Sequence, residues 1–124
     1  MQMGETDLAM LLAKMEPVLF REPYGFAIWQ GALPEETFAT VREAEGLTVI
    51  APLAVLGGVE PWARISLTVH SDLAAVGLTA AFAAALARVG ISCNVIAGVH
   101  HDHLFVQWDR RGDAMAALRG LSDV

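Results

Sequence analysis

The sequence changes its period once, and that change constrains the fold more than any other feature. From Ile65 to His70 apolar and polar residues alternate, with Leu67 and Val69 set against Ser66, Thr68 and His70. Alternation marks a strand, because successive side chains point to opposite faces. Beyond Ser71-Asp72 the apolar residues recur three and four apart, through Ala75, Leu78, Phe82, Ala85, Leu86 and Val89, which is the stripe of an amphipathic helix. Ser and Asp cap helices well: a short side-chain oxygen accepts from first-turn amides, and the helix dipole favours negative charge there. The junction predicts a strand over residues 62–69 running directly into a helix over 72–89, which Gly90 closes.

Downstream, residues 91–97 and 103–108 read as strands joined by a turn at 98–101. Met115, Leu118 and Leu121 then give the spacing of a last helix over 112–121. This half thus reads β-α-β-β-α, the split β-α-β plan short of its final strand. That strand is expected from the N-terminal half or from a partner.

Upstream, Leu8, Leu11, Leu12 and Met15 predict a two-turn helix opened by Thr6 or Asp7 and stopped at Glu16-Pro17. Residues 18–20 are a short possible strand. Over 24–29, Tyr24, Phe26 and Ile28 share one face and Gly25, Ala27 and Trp29 the other. Residues 33–37 read as a loop, 41–45 and 47–51 as a hairpin around Gly46, and 52–56 as a short helix ended by Gly57-Gly58. The run Gly57-Gly58-Val59-Glu60-Pro61 sets the expected boundary between units 1–58 and 61–124.

Composition narrows the function classes. Hydrophobic residues make up 55% of the chain, too many for a disordered segment. The charge-poor run 73–88 is short and alanine-rich, where a membrane span needs roughly 20 strongly apolar residues. A net charge of −6 with Lys14 as the sole lysine argues against nucleic acid, whose binders need clustered positive charge. Arg110-Arg111 reads as a solvated turn. The N-terminus lacks the basic head and apolar body of a secretory signal, so a cytoplasmic location is expected. Cys93 is the one cysteine, which excludes an internal disulfide and a cysteine metal cage. An apolar surface, with alanine on the outer side of the long helix, predicts a homodimer or higher homo-oligomer.

Three stretches carry a resemblance over nearly the whole chain. The run from Ser66 to Ala81, then Gly90-Ile91-Ser92-Cys93-Asn94-Val95-Ile96-Ala97-Gly98, then His101-Asp102-His103-Leu104-Phe105-Val106 resemble the small tandem ACT-domain proteins. Residues 12–19 and 42–48 are similar to the N-terminal half of that family. The resemblance implies an α+β, ferredoxin-like (βαββαβ) tandem ACT sandwich, an antiparallel sheet with helices on one face. It also implies a module that binds an amino acid or another small metabolite at domain or subunit interfaces. Such modules usually sit within the enzymes or sensors they regulate; this chain leaves no room for a catalytic domain, so a free-standing sensor is expected. Val99-His100 departs from the family pattern, where bulky aromatic residues precede His101, and this alters the rim of the pocket.

The expected ligand site has two parts. At the strand-helix junction, Val69, His70, Ser71, Asp72 and Leu73 offer backbone donors for a carboxylate, and Val76, Gly77, Leu78 and Thr79 continue that wall. Opposite them stand Asn94, Val95, Ile96, Ala97 and Gly98 with His101, Asp102 and His103. Ser71 and Thr79 would add hydroxyls, Asp72 or Asp102 would face an ammonium, and Gly77 would allow close approach. The plainer alternative makes Ser71 a helix cap, Gly77 a packing glycine and Asn94 a partner for neighbouring backbone.

No catalytic residue, cofactor or resident metal is expected. His101 and His103, with His70, could chelate an ion, but turns routinely collect such polar residues. Cys93 on a strand is more simply an inert thiol than a nucleophile. Trp29, Trp62 and Trp108 are dispersed and read as packing residues. A structural interaction module without ligand is the competing reading.

Overall fold

Strand β5 (Trp62–Leu67) shows how the alternation is used. Ala63, Ile65 and Leu67 are at most 1% exposed and join the core that the helices cover, while Trp62, Arg64 and Ser66 are half-buried on the opposite face. The structure is a computed structural model that describes residues 7–69 and 76–122.

Before β5 come α1 (Leu8–Lys14), β1 (Pro17–Leu19), β2 (Tyr24–Trp29), β3 (Ala39–Glu43), β4 (Gly46–Pro52) and α2 (Leu53–Leu56). After it come α3 (Leu78–Arg88), β6 (Asn94–Ala97), β7 (Asp102–Gln107), a 3-10 turn (Trp108–Arg110) and α4 (Arg111–Ser122). Among the described residues the strands form one antiparallel seven-stranded sheet of order β3-β4-β2-β5-β7-β6, with β1 also beside β5.

One lane of that sheet is shared. β1 pairs with the end of β5, Val18 opposite Ser66 and Leu19 opposite Ile65, and the Phe20 amide donates to the Arg64 carbonyl at 2.9 Å. The chain loops out at Arg21-Glu22-Pro23 and returns as β2, which meets β5 at Tyr24 opposite Trp62 and then runs with β4. The order β1-β5-β7-β6 completes the C-terminal split β-α-β unit, and its missing strand comes from the N-terminal half. Its helix comes too. Leu11 and Met15 of α1 are 0% and 2% exposed in one cluster with Phe82, Leu86, Leu104 and Leu118. Three hydrogen bonds hold the α1–β1 bend: the Thr68 amide and hydroxyl donate to the Glu16 carbonyl at 3.1 and 3.0 Å, and Ser122 Oγ donates to the Met15 carbonyl at 2.7 Å.

Three local expectations are corrected. Helix α3 starts at Leu78 rather than at 72, because Gly77 has φ +97° and breaks the helical backbone immediately before it; residues 70–75 lie outside the described ones. Val89 is 45% exposed rather than part of the core stripe. The helix closes in a Schellman arrangement, the Gly90 amide on the Ala87 carbonyl at 3.0 Å and the Ile91 amide on the Leu86 carbonyl at 3.0 Å, so Ile91 folds back into the core and Val89 turns out. Arg110-Arg111 is no solvated turn. Arg110 pairs with Asp113 at 3.1 Å and donates to the Val89 carbonyl, and Arg111 opens α4 with its guanidinium 3.8 Å over the Trp108 ring.

The sheet is strongly curled. Phe38, just ahead of β3, and Phe105, in β7, are four strand positions apart in sheet order, roughly 19 Å on a flat sheet at about 4.8 Å per strand. Their ring centroids are 5.9 Å apart. The face opposite α1, α3 and α4 is therefore concave, and the two halves of the sheet close on each other there.

Candidate functional site

The concave face is built from the residues that alternate with core residues along the strands. Leu104 and Val106 point into the helical core, which turns His103, Phe105 and Gln107 to the other side; on β5 the same alternation turns Trp62, Arg64 and Ser66 there. Tyr24 and Phe26 come from β2. Tyr24 and Phe105 are 5% and 0% exposed, and edge-to-face contacts link Tyr24 to Phe105 at 5.9 Å, Phe26 to Phe105 at 5.4 Å and Phe26 to Trp62 at 5.9 Å. Each such pair adds about 0.5–1.5 kcal/mol beyond the area it buries.

Arg64 lies within this aromatic layer. Its Cζ is 3.9 Å from the Phe20 ring centroid and 4.0 Å from that of Phe38, and its Nη1 donates to the Tyr24 hydroxyl at 3.0 Å. The Nε–H is closed off from solvent and finds no acceptor. Among the described residues no carboxylate forms an ion pair with Arg64; the ion pair present is Arg110–Asp113. Stacking offsets part of the lost hydration, at about 0.5–2 kcal/mol per ring, whereas a buried donor left unmet costs about 1–3 kcal/mol.

Beside it, Ser66 Oγ and His103 Nδ1 are 2.7 Å apart, and the Phe38 and His103 rings meet at 5.0 Å. Burial holds the His103 pKa below the ordinary 6.5, and the positive charges of Arg64 and His101 push the same way. The imidazole is thus neutral at neutral pH. Asp102, on the other face of β7, is raised above its ordinary 3.8 by burial, against a smaller opposing pull from His101.

The sequence-predicted site residues divide into three groups. His70, Ser71, Asp72 and Leu73 lie outside the described residues. Val69 and Leu78 are core side chains at 8% and 3% exposure, Val76 is 82% exposed, Thr79 is exposed, and Gly77 faces Leu8 so closely that a Cβ would sit 3.0 Å from Leu8 Cδ2. The third group forms the β6–β7 hairpin, Ile96 opposite His103 and Ala97 opposite Asp102, closed by the Gly98 amide on the His101 carbonyl at 2.9 Å. Of that hairpin, Ile96 and His103 reach the concave face, while Val95 and Ala97 share the opposite face with Leu104 and Asp102. Asn94 is not the buried amide its apolar surroundings suggested. β6 is an edge strand, and Asn94 is exposed there with a long 3.5 Å contact to the Phe105 carbonyl.

Among the described residues no cluster of three or more His, Cys, Asp or Glu stands ready for a metal ion. Burial pushes the Cys93 thiol up to about 11, which leaves it protonated and unreactive at neutral pH. Hollows of about 560, 450 and 370 Å³ lie at Glu60-Pro61 with 107–110, at residues 18–22, and between 13–17 and α4. None of the three is lined by a residue of the expected ligand site. Arg64, Phe20 and Phe38 are the residues of this face that the sequence does not single out. The available signal was a lone arginine at an alternating strand position between Trp62 and Ser66.

Two ACT-domain family models match this chain, one over residues 3–55 and the other over residues 59–120. The chain belongs to the ACT-domain family. Among solved structures, the tandem ACT architecture is similar to the Vibrio cholerae protein VC0802, described as of unknown function and a possible transport protein. That protein is 46% identical, with a TM-score of 0.76 over 88% of this chain and 91% of that one. Two more distant structures share the fold: Agrobacterium tumefaciens protein Atu0741 at 17% identity, TM-score 0.73, over 88% of this chain and 90% of that one, and the aspartokinase alpha and beta subunits at 10% identity, TM-score 0.64, over 87% and 97%. No curated protein matches. ACT domains are small-ligand regulatory modules that commonly oligomerise, and no helix among the described residues is long and apolar enough to cross a membrane.

Proposed function

We propose that this ACT protein is a stand-alone cytoplasmic regulatory module that acts as a homodimer and catalyses no reaction. It binds a small metabolite, an amino acid first among them, between residues 69–79 and the β6–β7 hairpin. The observation that carries this reading is the start of α3. Gly77 places the chain at φ +97° ahead of an 11-residue helix, and among the described residues no side chain accepts from the amides of Leu78, Thr79 or Ala80. First-turn donors and the helix dipole together attract a carboxylate. Asp102 suits the other end of an amino acid, because an ammonium beside it would restore the charge that burial disfavours. A ligand touching two units favours the arrangement in which both contacts exist, and it regulates by that differential affinity.

A melting screen against the common amino acids tests this. One of them should raise the midpoint, since a ligand bound to the folded state alone stabilises it by mass action. In Thr79→Asp the new carboxylate favours the helix N-terminus but repels the ligand's, so the unliganded midpoint should hold while the shift disappears. No response to any amino acid at millimolar concentration overturns the reading. Sedimentation tests the dimer.

A further inference from the structure

We infer that Arg64 is the anchor of a second site, on the concave face, for a small planar monocarboxylate. The Arg64 Cζ lies over the Phe20 ring at 3.9 Å and over the Phe38 ring at 4.0 Å; with one ring assigned to each face of the guanidinium, a ligand meets it edge-on. A carboxylate lies in that plane and can take two parallel N–H donors. A tetrahedral phosphate can use the same fork, but its two remaining oxygens stand above and below the plane, on the side of the two rings, which disfavours it. Donors remain to be met: one Nη1 hydrogen is used by Tyr24 and Nη2 makes no hydrogen bond among the described residues, so the carboxylate takes the Nη1–Nη2 edge, while Nε–H, shut off from solvent and without an acceptor, reports the contact from inside. The rest of the ligand has somewhere to lie. Phe20, which covers one face of the guanidinium, also lines the 450 Å³ hollow over residues 18–22. Val18, 44% exposed, and Leu19 give the hollow an apolar wall, with Arg21 and Glu22 completing its lining; Val18 sits opposite Ser66 on β5. The chain's net charge of −6 disfavours ligands of higher negative charge. This site shares no residue with α3 or with residues 69–79, so it stands or falls apart from the proposed amino acid site.

The probes are acetate and benzoate, with benzamide as the neutral counterpart of benzoate, and phosphate as the tetrahedral anion at matched ionic strength. The readout is the Arg64 Nε–H resonance in 15N spectra of the intact protein, together with the melting midpoint. Benzoate should move that resonance saturably and raise the midpoint, acetate more weakly, and benzamide and phosphate not at all. Arg64→Gln should lower benzoate affinity roughly ten- to a hundredfold, and Arg64→Lys, which keeps the charge but loses the planar fork, should also bind more weakly. Thr79→Asp should leave the benzoate response intact. If Arg64→Gln fails to fold, the resonance of the unaltered protein still decides. A resonance that neither carboxylate displaces, or that phosphate displaces as readily as benzoate, overturns the inference.

Discussion

Ser66 Oγ and His103 Nδ1 stand 2.7 Å apart across the β5–β7 pair, and Arg64 occupies the concave side of the same strand two residues away. The imidazole is therefore held neutral in the folded chain, by burial first and then by Arg64 and His101. In the unfolded chain it takes a proton near its ordinary 6.5. As pH falls through that value the unfolded state binds more protons than the folded one, so stability drops until the lowered folded pKa is passed. The melting midpoint should fall on acidification below about 6.5. His103→Gln, neutral at every pH, should show a shallower fall. An unchanged slope in the variant would remove His103 as the cause.

Leu11 is 0% exposed in the cluster that also holds Phe82, Leu86 and Leu118. It belongs by sequence to the first half of the chain and by packing to the second, since β1 and α1 complete the unit around β5. Leu11→Ala should thus cost about 2–5 kcal/mol, as core leucines do, and match Leu118→Ala in urea midpoint. Amide exchange in α4 and β5 should quicken in the variant. A loss confined to amides of β2, β3 and β4 would contradict this packing.

Much of the fold was legible because its signals are local. Tyr24 to Trp29 is β2 to the residue; Leu11, Met15 and Asp7 give the stripe and cap of the first helix, though Leu8 of the expected stripe is 37% exposed. The start of α3 was misplaced because Ser71-Asp72 has good capping chemistry, whereas the positive φ of Gly77 that breaks the backbone before Leu78 is not written in periodicity. Of the expected site, the β6–β7 hairpin was visible as a hairpin, but which of its residues meet Arg64 was not. Phe20, Phe38, Arg64 and His103 come from four distant segments; strand pairing sets Phe20 and His103 beside Arg64, and the curl of the sheet brings Phe38 across to them. Side-chain alternation fixes which face a residue occupies; it carries no information about how tightly that face closes.

Gly25 sits behind the site, next to Tyr24 but on the opposite face of β2. A Cβ there would lie 2.7 Å from Val59 Cγ2, 3.1 Å from Leu53 Cδ1 and 3.2 Å from Leu56 Cδ1. Three branched side chains, from α2 and the turn beyond it, close over the bare backbone, and at 2.7 Å the Val59 methyl would have to shift to admit a Cβ. Gly25→Ala should cost about 1–3 kcal/mol by overpacking, outweighing the roughly 0.4–1 kcal/mol that a less flexible unfolded chain would contribute in the other direction. Gly120→Ala is the contrast. Gly120 is exposed within α4 with open space around its Cβ position, so the same change should stabilise by up to about 1 kcal/mol. Melting midpoints that move in opposite directions would establish that close approach, and not glycine's flexibility, is why position 25 is bare; the displaced β2 should also weaken the hold of the Tyr24 hydroxyl on Arg64, read as a shift of the Arg64 Nε–H resonance in Gly25→Ala alone.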